Sequence, residues 1–475
     1  MLDTLPRIII AALRGGSGKT ILSLGLTSAW RKKGYRVAPF KKGPDFIDSG
    51  WLGFAAGRSC HNLDPFLMTS TQITRSFVSH STDADISLIE GNRGLFDGLD
   101  ENGSSSTAEL GKLLKAPVII IADVTMATRT VAAIIVGCQR FDPDLKIIGV
   151  ILNRVAGRRQ ETLIRNSIER YCELPVLGAV PKLKGGLFPE RHMGLVPHQE
   201  REQAEKAVAW ARSVVEDNLD LETIWRLSRQ VESLDGNGMG KQEEKAPDGH
   251  LNGDPPRIGV IRDRSFWFYY PENLQLLKDL GAILVQVNSL EAKELPDLDA
   301  LYIGGGFPET QAEALAHNGT FKNSLKDRIE KGLPVYAECG GLMYLAESLL
   351  VEDRTYPMVG SLPITCVMEK KPQGHGYTIL EVTGQNPYYP VGETLKGHEF
   401  HYSRPLIDSS KNVHSVFKVH RGRGLDGERD GLVKKNLLAT YTHLHAAGNT
   451  LWGQSLFHAA LATKRRKKRN FLQDH

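Results

Sequence analysis

The chain has 475 residues, 41% hydrophobic and 24% charged, with a formal net charge of +4, and that length favours two or three cores over one. No apolar run reaches the roughly 18 residues that a membrane span needs, and the N-terminus runs into a strand without a secretory apolar stretch, so a cytoplasmic protein without a membrane partner is expected. Five cysteines, at 60, 138, 172, 339 and 366, are scattered and lack a CxxC pair, which argues against a disulfide framework or a zinc site.

From Arg7 to about Pro181, short β-branched runs alternate with helix-length stretches: "RIIIAAL", "YRVAPF", "DISLIEG", "APVIIIADV", "LKIIGVILN" and "LPVLGAV". Continuous apolar strands separated in this way predict a parallel sheet covered on both faces. Residues 198 to 231 read as helical and close a first α/β domain, 1–231. The Gly, Asn, Asp and Pro of residues 232–256 break every period and predict a linker. "RIGVIRD", "AILVQVNS", "ALYIGGG" and "LPVYAEC" then restart an α/β pattern over 257–463. The basic run "KRRKKR" opens a tail, 464–475, expected to be solvated and disordered rather than a contact for nucleic acid.

In the first domain, "AALRGGSGKTILSLGL" joins the first strand to a helix, the context in which a glycine-rich loop cradles phosphates. Leu13 stands where the strict pattern has glycine, so the loop is a variant. Gly15, Gly16, Ser17 and Gly18 can still turn backbone N–H groups toward phosphate oxygens, Lys19 can reach the terminal phosphates, and Thr20 can hold magnesium. Asp45 follows the second strand and Glu90 ends the third, placing two acids at the carboxyl edge where open α/β sheets bind ligands. Magnesium takes few carboxylates plus phosphate oxygens. Lys41 and Lys42 add charge suited to an anionic substrate.

In the second domain, Cys339 lies between the apolar run "LPVYA" and the helical "LMYLAESLL", on a turn that presents a nucleophile beside the N–H groups of a helix start. A thiol nucleophile needs a base, and His443 and His445 end an apolar strand two residues apart, so either is a candidate. Gly305 and Gly306, after the strand "LYI", with the N–H of Gly340, can donate to a developing oxyanion. Arg262, Tyr269 and residues 374–378 are further candidates for lining the pocket, with core packing the preferred account of Tyr269.

Together, "YAECGGLMYL", "GGGFPE" and "TYTHLH" resemble a class I glutamine amidotransferase domain, and "RGGSGKT", "KKGPDFID", "EGNRGLFDG", "ERHMGLVP" and "DRSFWFYYPENL" narrow the resemblance to the cobyrinate a,c-diamide synthase family. The resemblance implies a P-loop NTPase-like sheet followed by a flavodoxin-like sheet, with ATP and magnesium as cofactors. It implies hydrolysis of L-glutamine through Cys339, assisted by His443 more than by His445, which stands where related amidotransferases carry a triad glutamate. Ammonia would then amidate two acetate side chains of a tetrapyrrole activated as acyl phosphates. Lys19, Thr20, Asp45 and Glu90 would handle phosphate and magnesium, and Asn153 resembles an adenine-reading asparagine or a strand-end cap. A homodimer is left open. Two alternatives stand beside this: diamidation of nickel sirohydrochlorin by the same architecture, and a regulatory P-loop ATPase, for which Arg14 and the basic tail speak.

Overall fold

The computed structural model describes residues 5–183, 201–234, 254–407 and 413–473. The motif at 190–197 and most of the expected linker lie outside the described residues. The chain divides into two compact units, Met1–Lys241 and Gln242–His475.

In the first unit, strands β1 (Arg7–Ala12), β2 (Val37–Lys42), β3 (His61–Leu63), β4 (Ile86–Glu90), β5 (Val118–Asp123), β6 (Ile147–Val155) and β7 (Val176–Pro181) form one sheet in the order β3-β2-β4-β1-β5-β6-β7. Every pairing is parallel. β1 is central and buried along its length, which is why "RIIIAA" carries no polar face. Six of the strands are those that the apolar runs predict; β3 is only three residues long, too short to show a period. Register fixes the site: Lys41 stands beside Glu90 across β2 and β4, and Asp123 beside Asn153 across β5 and β6.

Arg7 opens β1 with a buried guanidinium that donates to the carbonyls of Leu5, Leu114, Lys115 and Glu232. Four carbonyl acceptors satisfy a charge that would otherwise be costly to bury. Burial still lowers its pKa to about 10, opposed by Glu232.

In the second unit, β8 (Arg257–Ile261), β9 (Phe266–Phe268), β10 (Ile283–Val287), β11 (Ala300–Ile303), β12 (Gly305–Gly306) and β13 (Val335–Glu338) come first in the chain. The main sheet runs β10-β8-β11-β13 in parallel and continues in parallel into Leu437–Thr440. It then turns antiparallel through Arg429–Lys434, Ser415–Arg421, Gly374–Val382, Thr394–His401 and His443–Leu444. The last pairing brings His398 opposite His443, a contact made across 45 residues of sequence that no local period announces.

The basic run is not a solvated tail. It lies within a helix, Thr450–Gln473, whose Lys464 donates to Pro255 O at 2.7 Å and whose Lys467 donates to Asp297, Leu298 O and Asp299 at 2.7 to 3.0 Å. Lysines three apart share a helix face, so part of the charge is spent on one edge of the unit. No helix among the described residues is long and apolar enough to cross a membrane.

Candidate active site

In the first unit, the loop from Leu13 to Gly18 ends where helix α1 (Lys19–Lys32) begins. Gly16 and Gly18 have φ of 72° and 92°, a left-handed backbone that costs glycine little. At Gly18 a Cβ would also meet Asn153 Nδ2 at 2.5 Å. Asn153 donates to Ser17 O at 2.8 Å and accepts from Arg154 N at 2.9 Å, so both ends of its amide brace this corner. Asp123, held by Arg14 and Arg154 at 2.7 Å each, forms the outer rail; burial opposes its charge, but the donors from Thr125, Arg14 and Arg154 hold its carboxyl well below the usual range.

Lys19 is nearly buried and donates to Arg93 O at 2.6 Å. Thr20 Oγ1 donates to Glu90 Oε1 at 2.9 Å, and Lys41 Nζ donates to the same oxygen at 2.8 Å and to Asp48 Oδ2 at 2.6 Å. Burial lowers the Lys41 pKa, yet Asp48, Glu90 and Asp45 outweigh it and raise the pKa above its ordinary value. Asp45 reaches the group differently: its Oδ1 accepts from Asp48 N at 2.9 Å and caps helix α2 (Phe46–Ala56). Burial, with Asp48 close by, pushes the Asp45 carboxyl up to about 6.

Glu90 Oε2 is buried with no hydrogen-bond partner among the described residues, an expensive state for a carboxylate oxygen. An orphaned carboxylate oxygen beside a threonine hydroxyl in the first turn of the helix that follows a glycine-rich loop would suit a magnesium ion if phosphates supplied the remaining ligands. Asp48 escaped the sequence reading. Its signal was the three-residue spacing from Asp45, which turns one acid into the helix cap and leaves the other for Lys41.

In the second unit, Cys339 follows β13 with φ 48° and ψ −100°. Such a backbone stores strain in a non-glycine residue and recurs at functional sites. The Cys339 N–H donates to Thr440 O at 2.7 Å, which ties the turn to the next strand. A Cβ on Gly340 would lie 3.0 Å from Gly306 N, and one on Gly305 would lie 2.4 Å from His443 Cε1. The two glycine turns and the histidine ring therefore close on one corner. Burial raises the Cys339 thiol pKa far above its ordinary value, and Glu309 adds to this more than Glu338 and Glu399, against the N–H of Gly340. That direction favours the thiol form, so a base would have to take its proton before the sulfur could act as a nucleophile.

The two histidines separate. His443 Nδ1 lies 3.3 Å from Glu338 Oε2, with both side chains about 1% exposed. Glu338 also accepts from Tyr302 Oη at 3.0 Å and Leu444 N at 3.2 Å. His445 Nδ1 accepts from Ala447 N at 3.2 Å, and its Nε2 lies 3.6 Å from Glu272, while its ring packs 4.4 Å from Tyr270. His443 is thus oriented by a buried acid on the side away from Gly305, and His445 braces a turn. Glu338 also went unread in the sequence, although an acid closing the apolar run "VYAE" was its signal. Tyr269 is core: its hydroxyl donates to Ile261 O and accepts from Gly304 N.

Residues 8–195 match the family described as the CobQ/CobB/MinD/ParA nucleotide binding domain, and residues 257–451 the CobB/CobQ-like glutamine amidotransferase domain. The cobyrinate a,c-diamide synthase of Magnetococcus marinus is 42% identical over 95% of this chain and 96% of its own. The chain belongs to the cobyrinate a,c-diamide synthase family. Its relatives of the same name in Archaeoglobus fulgidus, 42% identical over 93% of this chain and 94% of their own length, and Listeria innocua, 40% over 92% and 96%, match as evenly. Membership makes the chain an enzyme, a carbon–nitrogen ligase with glutamine as amide donor, built from a nucleotide-binding unit and an amidotransferase unit.

Proposed function

We propose that the chain amidates the a and c acetate carboxylates of cobyrinate in turn, using ATP and ammonia released from glutamine at Cys339. What carries the proposal is identity of 42% across nearly the full length of a cobyrinate a,c-diamide synthase. A carboxylate is a poor electrophile, and transfer of a phosphoryl group from ATP converts it to an acyl phosphate with a good leaving group. The loop N–H groups and Lys19 would hold the phosphates. Thr20 and Glu90 would hold magnesium, which neutralises phosphate charge when bound. Lys41, kept charged between Asp48 and Glu90, would face the anionic reactants.

In the other unit the Cys339 sulfur would attack the amide carbon of glutamine as His443 takes the thiol proton. The N–H groups of Gly306 and Gly340 would receive the oxyanion. His443 would then return the proton to the departing nitrogen, so that ammonia leaves and a glutamyl thioester remains for water to cleave. Glu338 would hold His443 in the tautomer that presents Nε2 to the sulfur.

The test is mass spectrometry of products after incubation with ATP, magnesium and glutamine, with cobyrinate and nickel sirohydrochlorin in separate reactions. Two amide-for-acid exchanges on cobyrinate are expected. Preference for the nickel macrocycle would replace the substrate, and ATP hydrolysis without amidation of either would overturn the ligase reading.

A further inference from the structure

Three carboxylates act on the Cys339 sulfur: Glu309, Glu338 and Glu399. Two of them are already satisfied. Glu338 accepts from Tyr302, Leu444 N and His443. Glu399 accepts from Arg423 N at 2.5 Å and Gly424 N at 2.8 Å, and lies 3.5 Å from His401. Glu309 differs, because among the described residues its carboxylate meets only its own backbone N–H.

Glu309 stands three positions after Gly306. A Cβ on Gly340 would sit 3.1 Å from Cδ of Pro308, the residue before it. The neighbouring wall is aromatic: the Phe307 ring lies 5.1 Å from Phe268 and 6.2 Å from Trp267. Burial pushes the Glu309 carboxyl up to about 7. A half-buried carboxylate beside a nucleophile, without a cation, is a costly arrangement unless a ligand supplies the charge. A glutamine whose amide carbon is at Cys339 carries its α-ammonium roughly 5 Å further on, at standard bond lengths. That group is the only cation on the substrate. It is also within Coulomb reach of an acid that already acts on the sulfur.

We propose that Glu309 binds the α-ammonium group of glutamine and makes the pocket selective for amides that carry it. The assignment rests on the glutaminase reading above. The ammonium would also remove the carboxylate charge that disfavours the thiolate, so the correct substrate would help to ionise its own nucleophile.

The experiment compares hydrolysis of L-glutamine with that of glutaramate, the same molecule without its amino group, in wild type and Glu309→Gln. In wild type the ratio of kcat/KM should favour glutamine by about 10- to 100-fold, the range for a charge-assisted hydrogen bond. In Glu309→Gln that ratio should collapse towards unity through loss of glutamine turnover alone. Iodoacetamide, which has no ammonium group, should alkylate Cys339 in the variant at least as fast as in wild type. An unchanged ratio, or equal losses for both amides, sinks the assignment in an enzyme whose glutaminase activity stands. Absence of glutaminase activity in the wild-type chain removes the underlying reading and the assignment with it.

Discussion

The two sites solve opposite electrostatic problems. Around Glu90 the first unit gathers permanent charge, with Lys41 joined to two acids at 2.6 and 2.8 Å, and leaves one carboxylate oxygen unmatched. Around Cys339 the second unit buries a thiol that burial and the carboxylates of Glu309, Glu338 and Glu399 hold in its neutral form. A site for a polyanion and its counter-ion needs fixed charge that survives burial, and mutual pairing keeps it there. A site that breaks a neutral amide needs a proton to move between nucleophile and base.

Substitutions that remove one site and spare the other break this comparison most sharply. Cys339→Ser should lose glutamine-dependent amidation and keep amidation from added ammonium, because the phosphate site is untouched. Lys19→Ala should lose both. Product formation from each nitrogen source checks the pair, and retention of glutamine-dependent turnover by Cys339→Ser would refute the division of labour.

Smaller, and confined to the second unit, is the effect expected for Glu338→Gln. The amide keeps the shape and loses the charge that orients His443, so kcat for glutamine hydrolysis should fall by about 10²- to 10⁴-fold with KM little changed. Ammonium-dependent amidation should persist, and Glu338→Asp should recover part of the loss. If kcat stays near wild type in Glu338→Gln, His443 is oriented by something else.

The smallest effect is on stability. Burial, with His443, His445 and His375 nearby, lowers the His398 pKa well below its ordinary value. The folded chain therefore refuses a proton that the unfolded chain accepts near pH 6.5. The unfolded state binds more protons below that pH, so stability falls as pH drops, by at most about 1.4 kcal/mol per pH unit from this group. His398→Gln should flatten the decline between pH 6.5 and 5.5 in urea titrations followed by tryptophan fluorescence. An unaltered slope would mean that other groups carry the acid sensitivity.

Much of the fold was legible because apolar runs and glycine turns are local. "RIIIAA" followed by "GGSGKT" specifies strand, loop and helix within 14 residues, and "VYAECGG" specifies strand and elbow. Charge was harder to read. "KRRKKR" looks like a tail when counted as charge and becomes a helix face once Asp297 and Asp299 are folded against it. Spacing alone likewise left either His443 or His445 as the base, with the resemblance ranking His443 first, and their different acid neighbours, Glu338 and Glu272, appear only after folding.

The sequence by itself determined the two α/β units, the phosphate loop and the cysteine elbow, since each is written in contiguous residues whose backbone preferences act over a few positions. Only the tertiary structure decided which acid serves which group: Asp48 hydrogen-bonded to Lys41, Glu338 beside His443, and Glu309 meeting, among the described residues, only its own backbone N–H. Those pairings depend on strand register and on side chains up to 105 residues apart, and a carboxylate's role follows from the donors that surround it after folding.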